Sequence, residues 1–419
     1  MSPHSLSFFL IFLVVGHLSL GLREVRAQEK PFPVPVGLNG AGDFWKQVFT
    51  RYDSGEAILF DPMDLGKIYR VLPVAETEQG RAMVAKERAR IAAEYDLVDD
   101  ESRIRSQRGA KEHFSAGLRI SGRYIAQMQK IFRDEGLPAE LAYLPLVESS
   151  FNVRARSGAG AVGMWQFIPE TGKKFMRIDD LVDERRDPMA STRAAARLLK
   201  ENYRILGSWP LAITAYNHGT DGIFRGIENV GSGNLIELIR HYRSPTFGFA
   251  SKNFYAEFLA AVEIASRPEK HFPFLRLHQP VLLREVEVKK TTALAAVLRP
   301  AAISQGDFFQ WNPALEAGTK VIPAGYRVNL PAQKVQPFSA AQARAAAIPV
   351  KALAGGGLRK AAAQPVSGQF AGKPVSHAGS AKTVGAAVTS VPKNRVSVRT
   401  KERVVKDLTA RQAANLAVR

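Results

Sequence analysis

The sequence predicts a mainly α protein with one small α+β module toward its C-terminal end. Two patterns carry that expectation. Between about residues 117 and 270, apolar residues recur at helical steps and strand-like alternation is scarce. Between 284 and 331, Val286-Glu287-Val288 and Tyr326-Arg327-Val328-Asn329-Leu330-Pro331 alternate like strands on either side of a helical-looking Leu294 to Leu298. A chain of 419 residues, 46% hydrophobic and 23% charged, is long enough for two or three such units.

The chain opens with an apolar run from Phe8 that fades by Leu22, too short for a comfortable membrane span. Val25 and Ala27 bracket Arg26 in a small-x-small pattern before Gln28, so residues 1–27 read as a signal peptide. The first residues hold His4 but no Lys or Arg, which leaves a retained signal anchor as the other reading. Residues 28–42, rich in Pro and Gly, form an irregular lead-in. From Phe44-Trp45 to about Ile131 the pattern reads as mostly helical, and 28–116 as an N-terminal helical extension with no catalytic constellation.

The expected main domain spans 117–270. Ile120, Ile125, Met128 and Ile131 recur at helical spacing until Gly136 stops them, and Pro138 suits the first turn of a helix running toward Glu148. Asp187-Pro188 opens a helix over Met189 to Leu206, where Ala190, Ala194, Leu198 and Leu199 mark a buried stripe. Trp209-Pro210 precedes another helix ending at Tyr216, and Phe254 to Ala265 is a last apolar one. Beyond Ala332 the chain is Ala, Gly, Ser, Val and Lys/Arg with Glu402 and Asp407 its only acids, so 332–419 reads as a basic, disordered tail.

A net charge of +19 suits work against a polyanion: nucleic acid, an anionic membrane or an acidic wall polymer. Export points away from nucleic acid and toward a periplasmic or other envelope location. With no cysteine, disulfides, thiolate metal sites and a cysteine-linked lipoprotein anchor are excluded.

The chemistry centres on Glu148, at the end of the apolar segment Leu144-Pro145-Leu146-Val147 and followed by Ser149. Cleaving a glycosidic bond near neutral pH needs a carboxyl group that is still protonated, and an apolar setting supplies one. Alone, Glu148 reads more plainly as a solvated helix-end glutamate. Gly160 and Gly163 suggest a turn that comes close to a ligand, and Trp165 and Gln166 offer an aromatic plane and an amide. A tight turn followed by a core aromatic is the plainer reading. Tyr216 and Asn217 could bring a phenol and an amide to a cleft, or simply end a helix at Gly219. His218 has no ligand-spaced partner and is read as neither acid nor metal ligand. No second acid stands out among Glu140, Glu170, Asp179 and Asp180, which favours a one-carboxylate mechanism over the usual pair.

In this order the motifs resemble the soluble lytic transglycosylase (SLT) family, which is goose-lysozyme-like. Glu148-Ser149 matches its Glu-Ser pair. Gly160 to Phe167 matches its Gly-x-x-Gly-x-x-Gln block, with Met164-Trp165-Gln166 in the form common to the membrane-bound lytic transglycosylase D group. Ala215-Tyr216-Asn217 matches the third motif and Tyr255 the fourth; His218 departs from the more usual alanine. The resemblance implies a lysozyme-like domain that cuts peptidoglycan glycan strands between N-acetylmuramic acid and N-acetylglucosamine, leaving 1,6-anhydromuramic ends. It implies Glu148 as acid and then base. Ser149, Gly163, Met164, Gln166, Tyr216, Asn217 and Tyr255 would bind substrate, with no metal or cofactor. Residues 284–331 look like a degenerate LysM module, or the linker fold that follows this catalytic domain in related enzymes: the second half of the LysM pattern is present, and its usual opening is absent at Lys289-Lys290-Thr291. The basic tail could hold anionic envelope polymer or a membrane surface. A hydrolytic lysozyme on the same fold, and a non-catalytic wall-binding scaffold, are the competing readings.

Overall fold

The computed structural model describes residues 31–316, 318–346 and 397–406. The expected signal peptide and most of the expected tail lie outside the described residues. Among the described residues, no helix is long and apolar enough to cross a membrane.

Helix α1 (Asn39–Thr50) buries Phe44, Trp45, Val48 and Phe49 on one face. Strands β1 (Glu56–Asp61) and β2 (Asp64–Pro73) form an antiparallel hairpin, α2 (Glu78–Glu94) follows, and β3 (Arg105–Arg108) pairs with the free side of β1. The expected helical extension over 28–116 is therefore corrected: beside its helices it contains a three-stranded sheet. The reason is burial on both faces. Ile58 and Phe60 enter the main core, while Leu59 between them meets Tyr69, Ile91, Ala92 and Ile104 in a smaller one. A strand covered on both sides loses the polar alternation by which it would be recognised.

The central domain is helical: α3 (Lys111–Ser121), α4 (Ile125–Asp134), a 3-10 turn at Ala139–Tyr143, α5 (Pro145–Ser149), α6 (Pro169–Gly172), α7 (Pro188–Leu206), α8 (Trp209–His218), α9 (Thr220–Val230), α10 (Leu235–His241), α11 (Phe249–Ser266) and α12 (Pro268–His271). Asp187 caps α7 by accepting from the backbone N–H of Met189 and Ala190 at 2.9 and 2.7 Å, and Gly207 ends it in a left-handed conformation. Helices α8 and α11 bury most of their surface, as their scarcity of charge requires. Helix α1 lies on α11, where the Trp45 indole N–H donates to Asn253 Oδ1 at 3.1 Å.

The C-terminal module contains β4 (Leu283–Glu287), β5 (Thr292–Ala293), α13 (Leu294–Leu298), α14 (Gln305–Trp311), β6 (Val321–Ile322), β7 (Arg327–Pro331) and α15 (Ala332–Ala346). β4 pairs with β7, and β5 with β6, all antiparallel. Within the stretch 332–419, expected to be largely disordered, helix α15 and a last helix at 398–406 form. Phe338 and Ala341 are buried in the module's core, and Val405 in the main one. The module is docked on the central domain. Val182 joins its core, Asp183 N–H donates to Ala314 O at 2.7 Å, and Asn329 Nδ2 donates to the capping Asp187 at 2.6 Å.

Candidate active site

Helix α5 begins with Pro145, buries Leu146 and Val147, and brings Glu148 to its last turn. The chain then leaves through two consecutive left-handed residues, Ser150 (φ 51°) and Phe151 (φ 59°), a conformation that costs energy outside glycine and is held here by the complete burial of the Phe151 ring. Gly117 of α3 lets this turn pack tightly, since a Cβ there would stand 3.0 Å from Ser150 Cα. Glu148 itself remains partly exposed, yet desolvation by its apolar surroundings pushes its carboxyl up to about 8. At neutral pH the group keeps its proton.

Three of the expected site residues converge on three successive carbonyls. Gln166 Nε2 donates to Gly163 O at 2.7 Å, the Ser149 hydroxyl to Met164 O at 2.8 Å, and the Tyr216 hydroxyl to Trp165 O at 2.8 Å. The turn is thereby tied to both α5 and α8. Gly163 is left-handed (φ 79°), and a Cβ on it would meet Arg185 O at 1.9 Å, so no other residue fits without displacing backbone. Behind the turn, Arg185 donates to Gly160 O and Phe167 O and pairs with Asp183 at 2.8 Å. Burial and the nearby Glu148 charge both raise the Tyr216 phenol well above its ordinary range, which keeps it a neutral donor.

Other expected residues are placed differently. Met164 and Trp165 are buried; the Met164 carbonyl, rather than its thioether, serves the site, and the Trp165 indole donates to Thr192 at 2.9 Å. Tyr255 is wholly buried on α11 and its hydroxyl donates to Pro33 O at 2.8 Å, a partner in the N-terminal segment rather than in the turn. Asn217 is exposed at the end of α8, with Oδ1 accepting from Ser251 at 2.8 Å.

Sequence reasoning missed one group. Glu257 on α11 is buried, and its carboxyl is pushed up to about 8 by desolvation first and then by Glu148. The fold thus adds a second raised carboxyl group that did not stand out in the sequence. The available signal was a lone acid inside the apolar run Phe254-Tyr255-Ala256-Glu257-Phe258-Leu259-Ala260.

Residues 125–239 match the profile of the Transglycosylase SLT domain family, a stretch that runs from α4 into α10 and includes α5, the turn at Gly163 and α8 but not α11. The chain carries an SLT domain. Among curated proteins, membrane-bound lytic murein transglycosylase D of Escherichia coli (strain K12) is 29% identical over 191 residues, 45% of this chain and 41% of that protein. The transglycosylase of Enterobacteria phage PRD1 is 36% identical over 84 residues, 20% of this chain and 30% of that one. The chain thus spans less than half the length of these relatives. A solved structure of lytic transglycosylase Slt from Pseudomonas aeruginosa is 21% identical at a TM-score of 0.28, covering 35% of this chain and 24% of that one, a likeness too slight to bear on fold or function.

Proposed function

We propose that the protein is an envelope enzyme that cleaves the β-1,4 bond between N-acetylmuramic acid and N-acetylglucosamine in peptidoglycan. The observation that carries the reading is a partly exposed carboxyl group, Glu148, kept protonated at neutral pH beside a turn held by Ser149, Gln166 and Tyr216. Glu148 gives its proton to the glycosidic oxygen as the bond to the muramoyl C1 breaks. The resulting carboxylate takes the proton of the muramoyl C6 hydroxyl, whose oxygen closes on C1. The product is a 1,6-anhydro end, and Glu148 returns protonated. The substrate's 2-acetamido group steadies the positive charge at C1.

Glu257 favours a second reading, the two-carboxylate hydrolysis of a lysozyme. Its burial weakens that reading, because a carboxyl raised to about 8 is protonated at neutral pH and is neither base nor nucleophile. Gln166, with its amide nitrogen held by Gly163 O, offers Oε1 to substrate donors. By their composition and pattern, the 284–331 module is proposed as an ancillary glycan contact and the basic tail as a contact for anionic envelope surface.

The test is mass spectrometry of muropeptides released from purified peptidoglycan, beside Glu148→Gln. Anhydromuramic ends that vanish in the variant support the reading. Reducing ends would replace it with hydrolysis, and retained binding without release would replace it with a wall-binding role.

A further inference from the structure

Asn217 can face a ligand with either end of its amide, and the end it presents is decided behind it. Ser251, buried on α11, lies 2.8 Å from Asn217 Oδ1 and 3.4 Å from His218 Nδ1. A hydroxyl has one hydrogen, and the shorter contact takes it. If His218 Nδ1 then carried no proton, its lone pair would face the lone pairs of Ser251 Oγ. With the proton on Nδ1, the imidazole N–H supports the hydroxyl, as the longer and weaker of the two bonds.

The other ring nitrogen agrees. His218 Nε2 is buried without a partner among the described residues, and Gly222 makes its room: a Cβ there would stand 2.6 Å from Nε2 and 2.5 Å from Cδ2. The reversed chain, with Asn217 Nδ2 donating to Ser251 and Ser251 to Nδ1, would put a hydrogen on Nε2, which has no hydrogen-bond partner among the described residues. Burying a bare lone pair is the lesser penalty. Edges of Tyr242 and Phe247 enclose the ring, and burial, followed by the Arg225 charge, lowers its basicity despite the Thr246 carbonyl beside it, so the ring is neutral at pH 7.

We infer that Ser251 and His218 are positioning residues that fix the polarity of Asn217, leaving its two Nδ2 hydrogens for an acceptor oxygen of the glycan. The inference rests on the proposed function for the ligand, but not for the polarity. It also gives His218, where the family motif more often has alanine, a task in this chain.

Ring 15N NMR of the labelled full chain at pH 7, with His218 assigned by the signals lost in His218→Ala, reads the tautomer without any assay of activity. A protonated Nδ1 is expected; a protonated Nε2 overturns the inference. In muropeptide release, Asn217→Asp keeps the bond from Ser251 but loses both donors, so KM should rise about tenfold, the size of a donor contact turned repulsive. KM unchanged in this variant would mean that the oxygen end faces the glycan and would overturn the assignment. Ser251→Ala should raise KM about fivefold, one neutral hydrogen bond, with kcat held; a fall in kcat at constant KM would overturn the positioning role. Should the wild-type protein release nothing, the proposed function fails while the tautomer still decides the polarity.

Discussion

The end of α5 and the middle of α11 each hold a glutamate whose carboxyl is pushed up to about 8, yet the two are placed very differently. Glu148 lies in the last turn of a short helix, stays partly exposed and stands beside a turn tied down by three side-chain hydrogen bonds. Glu257 is 4% exposed inside a long apolar helix. A raised pKa therefore marks both residues and selects neither. Access to substrate is what separates an acid that can deliver its proton from one that only stores it.

The largest expected break in that comparison is Glu148→Gln, which should cut the rate of muropeptide release by about 10²–10⁴-fold, the usual contribution of a positioned acid. If Glu257→Gln produced the larger loss, the roles would be exchanged. The pH profile comes next. With Glu148 active as the protonated form, kcat/KM should fall about tenfold per pH unit above roughly 8, and an alkaline limb near 4.5 would mean that burial does not protect its proton.

Glu257→Gln sharpens the contrast through stability. Between its ordinary 4.5 and about 8, the folded chain holds a proton at Glu257 that the unfolded chain has released. Folding stability should therefore fall as pH rises through that window, by about 1.4 kcal/mol per pH unit for this group. Glu257→Gln should remove that slope in denaturant titrations, gain stability at pH 9 relative to wild type, and leave kcat/KM within a factor of about three. Smallest of all, Tyr216→Phe removes the bond to Trp165 O and should cost about 1 kcal/mol in the same titrations, with a modest rise in KM as the turn loosens.

Much of this site is legible from local sequence, because it is built on punctuation. Gly136, Asp187-Pro188 and Trp209-Pro210 stop and start helices wherever they stand, and Glu148-Ser149 sits where an apolar run ends. What stayed hidden depends on distant partners. β1 looked helical because neighbours far along the chain cover both of its faces. Glu257 was not singled out because its burial is set by the packing of α11 against other elements. Met164 was expected as a ligand contact, but the core takes its side chain and the turn uses its carbonyl, while Trp165 follows its plainer reading as a core aromatic. Composition misled at α15, although Val335, Phe338, Ala341 and Ala345 keep a helical stripe toward the module's core.

The docking of the C-terminal module has a mechanical consequence. Val182 sits in the module's core, Asp187 both caps α7 and holds Asn329, and Asp183 joins Ala314 to the Arg185 that braces the turn beside Glu148. Melting the module would unplug an apolar residue, strip the helix α7 cap of a partner and slacken the brace at once. The two parts should therefore unfold in a single cooperative step, and any grip the module takes on the wall is delivered to the cutting edge as by a handle rather than a leash.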